Sequence, residues 1–144
     1  MTPPRAVLAA GSYAEANGLA REIVGTGLSQ QAWALRRNIG HVEAVAADDP
    51  HVIEVHPEVS FRAMRGEHLA FAKTTWNGQA VRRAALAAHG IALPAVLDGP
   101  AGAVPVADVL DAAAAAWTAR RYAGGEARSL PEGWSRGRPG AIWY

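Results

Sequence analysis

Three groups of side chains in this sequence have types and spacings that suit chemistry. The first lies in Glu54-Val55-His56-Pro57-Glu58. The chain from His51 to His56 alternates, with Val52, Glu54 and His56 on one face and His51, Ile53 and Val55 on the other. That is the two-residue period of a strand. A carboxylate and an imidazole would then share a face at a strand end, where α/β folds commonly place reactive groups. A plain solvated strand face accounts for the same pattern.

The second group is Asp108 and Asp111. Three residues apart on a helix, they lie about 60° apart in projection and share a face. Val106, Leu110, Ala113 and Trp117 fall on the opposite side as a packing stripe. Acidic residues in a first helical turn also stabilise the helix through its dipole, by ~0.3–1 kcal/mol each, so a structural role stays open. The run Ala112 to Ala116 bears on the choice. Side chains that small let a helix lie close to a neighbouring strand, which would carry the aspartates toward Glu54. Carboxylates converging in this way repel one another unless a cation neutralises them. Mg²⁺ or Mn²⁺, hard ions that prefer oxygen, would suit.

The third group is basic: Lys73, Arg82 and Arg83, with Arg62 and Arg65 nearby. These residues could hold phosphates, and a helix beginning near Gly78 would add backbone amides. For Arg65 and Arg83 a solvated helix face is the simpler reading. Other chemistry has no signature: there is no Gly-rich phosphate loop with Lys, no His-Glu-x-x-His and no Gly-x-Ser-x-Gly elbow. His41, His51, His68 and His89 lack ligand-like spacing and read as structural or surface residues.

The elements that must position these groups are mostly helices. Ser12-Tyr13-Ala14-Glu15 has capping-box spacing and predicts a helix to about Val24, stopped by Gly25-Thr26-Gly27. Ser29 opens a second helix, through Gln30 to Arg37, that continues unevenly to Ala47. Ala6-Val7-Leu8, after Pro3-Pro4, is a short strand or a linker. Past the strand 51–56, Pro57 pre-sets a helix over Glu58 to Arg65, ended by Gly66. Thr74 to Gly78 is a turn, and Gln79 to His89 a helix with Gly90 after it. A Pro- and Gly-rich loop runs from Ile91 to Gly102, and the strongest helix spans Pro105 to Tyr122. Leu130 to Gly140 is irregular, and Ile142-Trp143-Tyr144 is a short terminal strand. One clear strand beside so many helices leaves edge hydrogen bonds to be satisfied. Self-association through an exposed sheet edge, giving a homo-oligomer, is one expected answer.

Composition narrows the classes. The 144 residues suit a single domain, 1–144, and with half of them hydrophobic a core is available. Because many are alanines, much of the packing must come from the five Trp and from Leu, Ile and Val. A net charge of +1 gives no bulk attraction to nucleic acid, so any such surface must be local. With no cysteine there are no disulfides and no Cys-based metal sites. Neither a secretion signal nor an apolar run of the ~18 residues needed to span a membrane occurs, so a cytoplasmic protein without membrane contact is expected.

Taken in order, these strings resemble a known family. Glu54-Val55-His56-Pro57-Glu58-Val59-Ser60-Phe61, then Ala72-Lys73-Thr74 with Gly78 and Arg82, then Val106-Ala107-Asp108-Val109-Leu110-Asp111-Ala112 are similar to the family of domain of unknown function DUF429, predicted nucleases with a ribonuclease-H-like fold. Pro3 to Leu8, Ser12 to Asn17 and Gly27-Leu28-Ser29 resemble the family's middle region, so the likeness covers most of the chain.

The resemblance implies an α/β, ribonuclease-H-like, helix-rich C-terminal portion with an incomplete sheet. The strand hairpin that carries the family's first essential aspartate would lie before Met1, and Ala9 stands where some relatives are acidic. It implies a metal-dependent, phosphodiester-cleaving hydrolase with Glu54, Asp108 and Asp111 as catalytic and metal-binding residues for Mg²⁺ or Mn²⁺. Lys73 and Arg82 would be substrate-binding, and nucleic acid the partner. Without the first strand such a site would be inactive unless completed. A non-catalytic interaction or binding module derived from the same fold is therefore the alternative.

Overall fold

The computed structural model describes residues 3–134 and 140–144 and divides into two compact units, Met1–Asp49 and Pro50–Tyr144. Each unit is built by its own local rules. Residues 135–139, part of the tail expected to be irregular, lie outside the described residues.

In the first unit, α1 (Arg5–Leu8) replaces the expected strand or linker. The carbonyl of Pro4 accepts from the amides of Val7 and Leu8, at 2.9 and 3.1 Å, and turns the chain helical. Helix α2 (Tyr13–Val24) begins as its sequence predicts: Ser12 Oγ accepts from the Glu15 amide at 3.3 Å, and Glu15 reaches back to the amide of Gly11 at 2.9 Å. It ends on Gly25 at φ 75°, a left-handed conformation that costs glycine nothing. Ser29 caps α3 (Gln30–Ala34), and after Leu35 the chain continues as α4 (Arg36–Asp48). Val7, Ala16, Ala20 and Leu28 form the buried cluster. Tyr13 closes it by donating its hydroxyl to the Leu28 carbonyl at 2.7 Å.

The second unit carries all three candidate groups. Strand β1 is only Glu54–Val55, shorter than the alternating segment 51–56. It pairs in parallel with β3 (Ile142–Trp143), which pairs antiparallel with β2 (Ser129–Leu130), giving the order β1-β3-β2. Arg128 and Tyr144 extend the antiparallel ladder by exchanging both backbone hydrogen bonds, at 2.8 and 2.9 Å. The sheet is therefore mixed, small and closed within the chain on both sides of β3. Trp143 is buried beneath it, edge-on to Tyr122 at 4.8 Å.

Three helices do most of the packing: α5 (Pro57–Arg65), α6 (Trp76–Ala88) and α7 (Val106–Ala123). Phe61, Ala85, Leu86, Leu110, Ala113 and Ala114 make their common core. The alanine run does permit close approach, but the partners are α5 and α6 rather than a strand. Ser60 of α5 and Thr118 of α7 share a fully buried hydroxyl hydrogen bond at 2.8 Å, fixing the register between the two helices. Trp117 is buried as the stripe requires, whereas Val106 is largely exposed. The result is a mixed, helix-rich α/β arrangement. Among the described residues no helix is long and apolar enough to cross a membrane.

Candidate functional site

The loop between α5 and α6 meets the first half of α7, and charged side chains collect there. Lys73 Nζ donates to Asp111 Oδ2 at 2.6 Å, across 38 residues of sequence. Asp111 lies one turn into α7 and is three-quarters buried, while Lys73 keeps 41% of its side chain exposed. The other carboxylate oxygen, Asp111 Oδ1, is buried with no hydrogen-bond donor among the described residues. A buried charged acceptor in that condition costs roughly 1–3 kcal/mol or more.

A second pair holds the same loop. Arg82 is nearly inaccessible and forks onto Glu58, with Nε donating to Oε1 at 3.1 Å and Nη2 to Oε2 at 2.6 Å. Its Nη1 donates to the carbonyls of Phe71 and Gly78, at 3.0 and 2.9 Å. One guanidinium thus ties α5, α6 and the intervening loop together. Its planar donors suit a bidentate carboxylate in a way a lysine could not match. Glu58 stands in the first turn of α5, just after Pro57, where the helix dipole favours a carboxylate.

The loop itself is tightly folded onto the start of α6. Thr75 caps the helix by accepting from the Gly78 amide at 3.1 Å, and its hydroxyl donates to the Ala72 carbonyl at 2.8 Å. A Cβ on Gly78 would overlap that same carbonyl oxygen. Glycine is required there for close approach. The helix consequently begins at Trp76, inside the segment expected to be a turn.

Electrostatics follow from this geometry. The hydrogen bond to Asp111 holds the Lys73 ammonium above its ordinary range, partial burial opposes the shift, and the charges of Asp111, Glu58 and Asp108 add to it. A lysine with a raised folded pKa contributes stability that is fully present below its unfolded value of 10.5 and fades as pH climbs through the folded value. Because the side chain is well exposed, the effect should stay below about 1 kcal/mol. Urea melts of wild type and Lys73→Met should therefore differ by a few tenths of a kcal/mol to ~1 kcal/mol at neutral pH and converge as pH climbs past the raised folded pKa. A gap that widens with alkalinity would contradict this assignment.

Of the residues singled out from the sequence, Lys73 and Asp111 meet directly, and Asp108 lies near enough to act on Lys73. Arg82 belongs to the same network, but buried, with its guanidinium committed to Glu58 and two carbonyls. Glu54 is exposed on β1, in register with Ile142. The carboxylate beside the network is Glu58, four residues further on. Its signal was present in Pro57-Glu58 at a helix start, although nothing in the spacing tied it to Arg82. Arg65 pairs on the surface with Glu67, consistent with a solvated face. His89 is structural: Nε2 lies 3.0 Å from the Met64 carbonyl and the ring packs edge-on to Trp117.

Among the described residues no group of three or more His, Asp or Glu side chains is placed to hold a metal ion. Glu54, Asp108 and Asp111 are thus not gathered into one ligand set. Ala113 and Ala114 of α7 are instead buried in the core that α7 shares with α5 and α6. One oxygen of Asp111 is also already taken by an ammonium. Among the described residues, the gathered side chains do not complete a ligand set for Mg²⁺ or Mn²⁺.

A helix-rich α/β unit with paired charges at a loop–helix junction is the class of structure defined so far. The sequence profile of a protein family of unknown function, DUF429, matches residues 1–135, and the chain belongs to that family. No curated protein and no solved structure matches it.

Proposed function

We propose that this protein is a nuclease-like hydrolase of ribonuclease-H-like type, acting on a phosphodiester at the junction of the 66–75 loop, α6 and α7. The observation that carries the reading is the Lys73–Asp111 pair. An ammonium has three donors, and the bond to Asp111 uses one. A half-exposed lysine whose ammonium is held charged by Asp111 can give its other donors to phosphate oxygens. Asp111 sets the direction of the ammonium, and Arg82 with Glu58 holds the loop on which Lys73 stands. Asp108, at the exposed start of α7, borders the same site.

Among the described residues the gathered carboxylates do not complete a ligand set. That misfit also favours a second reading, a binding module that grips a phosphodiester without cleaving it.

End-labelled single- and double-stranded DNA and RNA, incubated with Mg²⁺ or Mn²⁺ and with EDTA, separate the two. Cleavage by the wild type that is lost in Asp111→Asn supports the hydrolase. Binding without cleavage, weakened in Lys73→Ala, supports the module. Neither binding nor cleavage of any substrate would overturn both.

A further inference from the structure

Helix α4 is the longest element of the first unit, yet none of its 13 residues is buried. An isolated helix of that length is marginal in water, and most helices are held by packing an apolar face. Helix α4 has such a face. At about 100° per residue, Leu35 at its N-cap, Ile39, Val42, Val45 and Ala46 fall in one stripe about 120° wide. The stripe is uncovered: Leu35 is 47% exposed, Val42 59% and Val45 58%. The buried cluster of the same unit, Val7, Ala16, Ala20 and Leu28, takes its partly buried neighbours from outside α4.

The charges on α4 point to what covers the stripe. Arg36 and Arg37 open the helix and Asp48 closes it, with no acidic residue in the first turn and no basic residue in the last. That order is the reverse of the one a helix dipole favours. Arg36 is already engaged, lying over the Trp33 ring at 3.9 Å and donating to the Trp33 carbonyl at 3.2 Å. Glu43 is paired with Arg5. Arg37 and Asp48 are exposed, and neither has an ion-pair partner among the described residues. They stand 11 residues apart, about three turns, and so flank the stripe on the same side.

A helix that is basic at one end, acidic at the other and apolar between is complementary to itself run in reverse. Two copies laid antiparallel and crossing at Val42 set Val42 against Val42 and Ile39 against Val45. Arg37 of each copy then comes within one residue's rise, about 1.5 Å, of level with Asp48 of the other. Such a contact is isologous and closes on itself as a two-fold pair. Each basic end also meets the other copy's acidic end, which offsets the reversed order of charge.

We infer that α4 is a self-association surface, whose apolar stripe is covered by the antiparallel α4 of a second copy of this chain. One pair of helices about 20 Å long is a small interface, so the dimer is reversible rather than obligate.

Sedimentation velocity of the full-length protein over a range of concentrations tests it. Wild type should pass reversibly from monomer to dimer as concentration rises. Val42→Lys sets two ammonium groups face to face at the two-fold axis and should weaken the dimer by about tenfold or more. Because Val42 is exposed, the circular dichroism of that variant should match wild type. Arg37→Asp and Asp48→Arg should each weaken the dimer, and the double exchange should restore most of it, since each reversed charge again meets its opposite. The chain has no cysteine, so a single Val42→Cys should cross-link into dimers under mild oxidation, whereas Ala44→Cys, on the far side of α4, should not. A wild type that stays monomeric at every concentration overturns the inference. So does a dimer that Val42→Lys leaves unchanged, which would move the contact to another surface such as the sheet edge. Equal cross-linking from Val42 and Ala44 overturns it as well. A monomer that Val42→Lys destabilises would assign the stripe to a cover within the chain and overturn the second copy as its occupant.

Discussion

Replacing Arg82 with Ala should destabilise the second unit by about 3 kcal/mol, the lower end of the cost of breaking a buried ion pair. The lower end applies because Glu58, left behind, keeps 37% of its side chain exposed and can turn to water. Two further losses support a value that large: the Phe71 carbonyl loses its guanidinium donor, and the Gly78 carbonyl keeps only its helical one. The aliphatic stem also leaves a gap beside Phe61, whose ring centre lies 5.6 Å from the guanidinium carbon. Arg82→Lys should recover little, since an ammonium cannot meet both carboxylate oxygens and both carbonyls in one plane. Urea unfolding followed by far-ultraviolet circular dichroism measures the difference. A loss under ~0.5 kcal/mol, typical of a surface site, would show that the guanidinium does not tie the helices together.

Gly78→Ala should be nearly as damaging, for a different reason. Alanine in place of glycine within a helix ordinarily stabilises by up to ~1 kcal/mol. Here the new Cβ meets a backbone carbonyl, Ala72, which cannot rotate aside as a side chain would. Either α6 loses its first turn or the loop lifts, and both movements carry Lys73 away from Asp111. We expect a net loss of about 2–3 kcal/mol, the cost of overpacking at a rigid site, together with loss of the Lys73-dependent alkaline stability difference. Gly18, which has open space around it in α2, supplies the control, and Ala there should be neutral or stabilising. Equal behaviour at the two glycines would show that the close approach of the loop is not rigid.

Local chemistry was legible in the sequence, and long-range pairing was not. Ser12, Ser29, Gly25 and Gly66 mark helix ends through rules that operate within four residues, and each does so in the fold. The terminal strand Ile142–Trp143 is present, whereas the alternating stretch 51–56 contributes only two residues to the sheet. Alternation reports which face a side chain takes, not how much of a neighbouring strand is there to pair with it. The segment Ser129–Leu130 gave no periodic signal because a two-residue strand is too short to have one. Helix α6 starts at Trp76, ahead of the expected Gln79, because Thr75 supplies the cap.

The site divides in the same way. Residue type and face brought out Lys73, Arg82, Asp108 and Asp111 as candidates. Their partners depend on contacts between residues 24 and 38 apart, which no spacing rule predicts. An expectation of mutual repulsion between acidic residues becomes, in the structure, an attraction between Asp111 and Lys73. Asp111→Asn should accordingly weaken the protein modestly rather than leave it unchanged.

The most direct test of the phosphodiester site is to find where a minimal phosphodiester lands. Titrating a thymidine dinucleotide into ¹⁵N-labelled protein should shift backbone amides from Lys73 to Gly78 and around Asp108 and Asp111. Those shifts should disappear in Lys73→Ala while the rest of the spectrum stays in place. Shifts centred on β1 and Glu54, or none at the 71–78 loop at saturating ligand, would contradict the account.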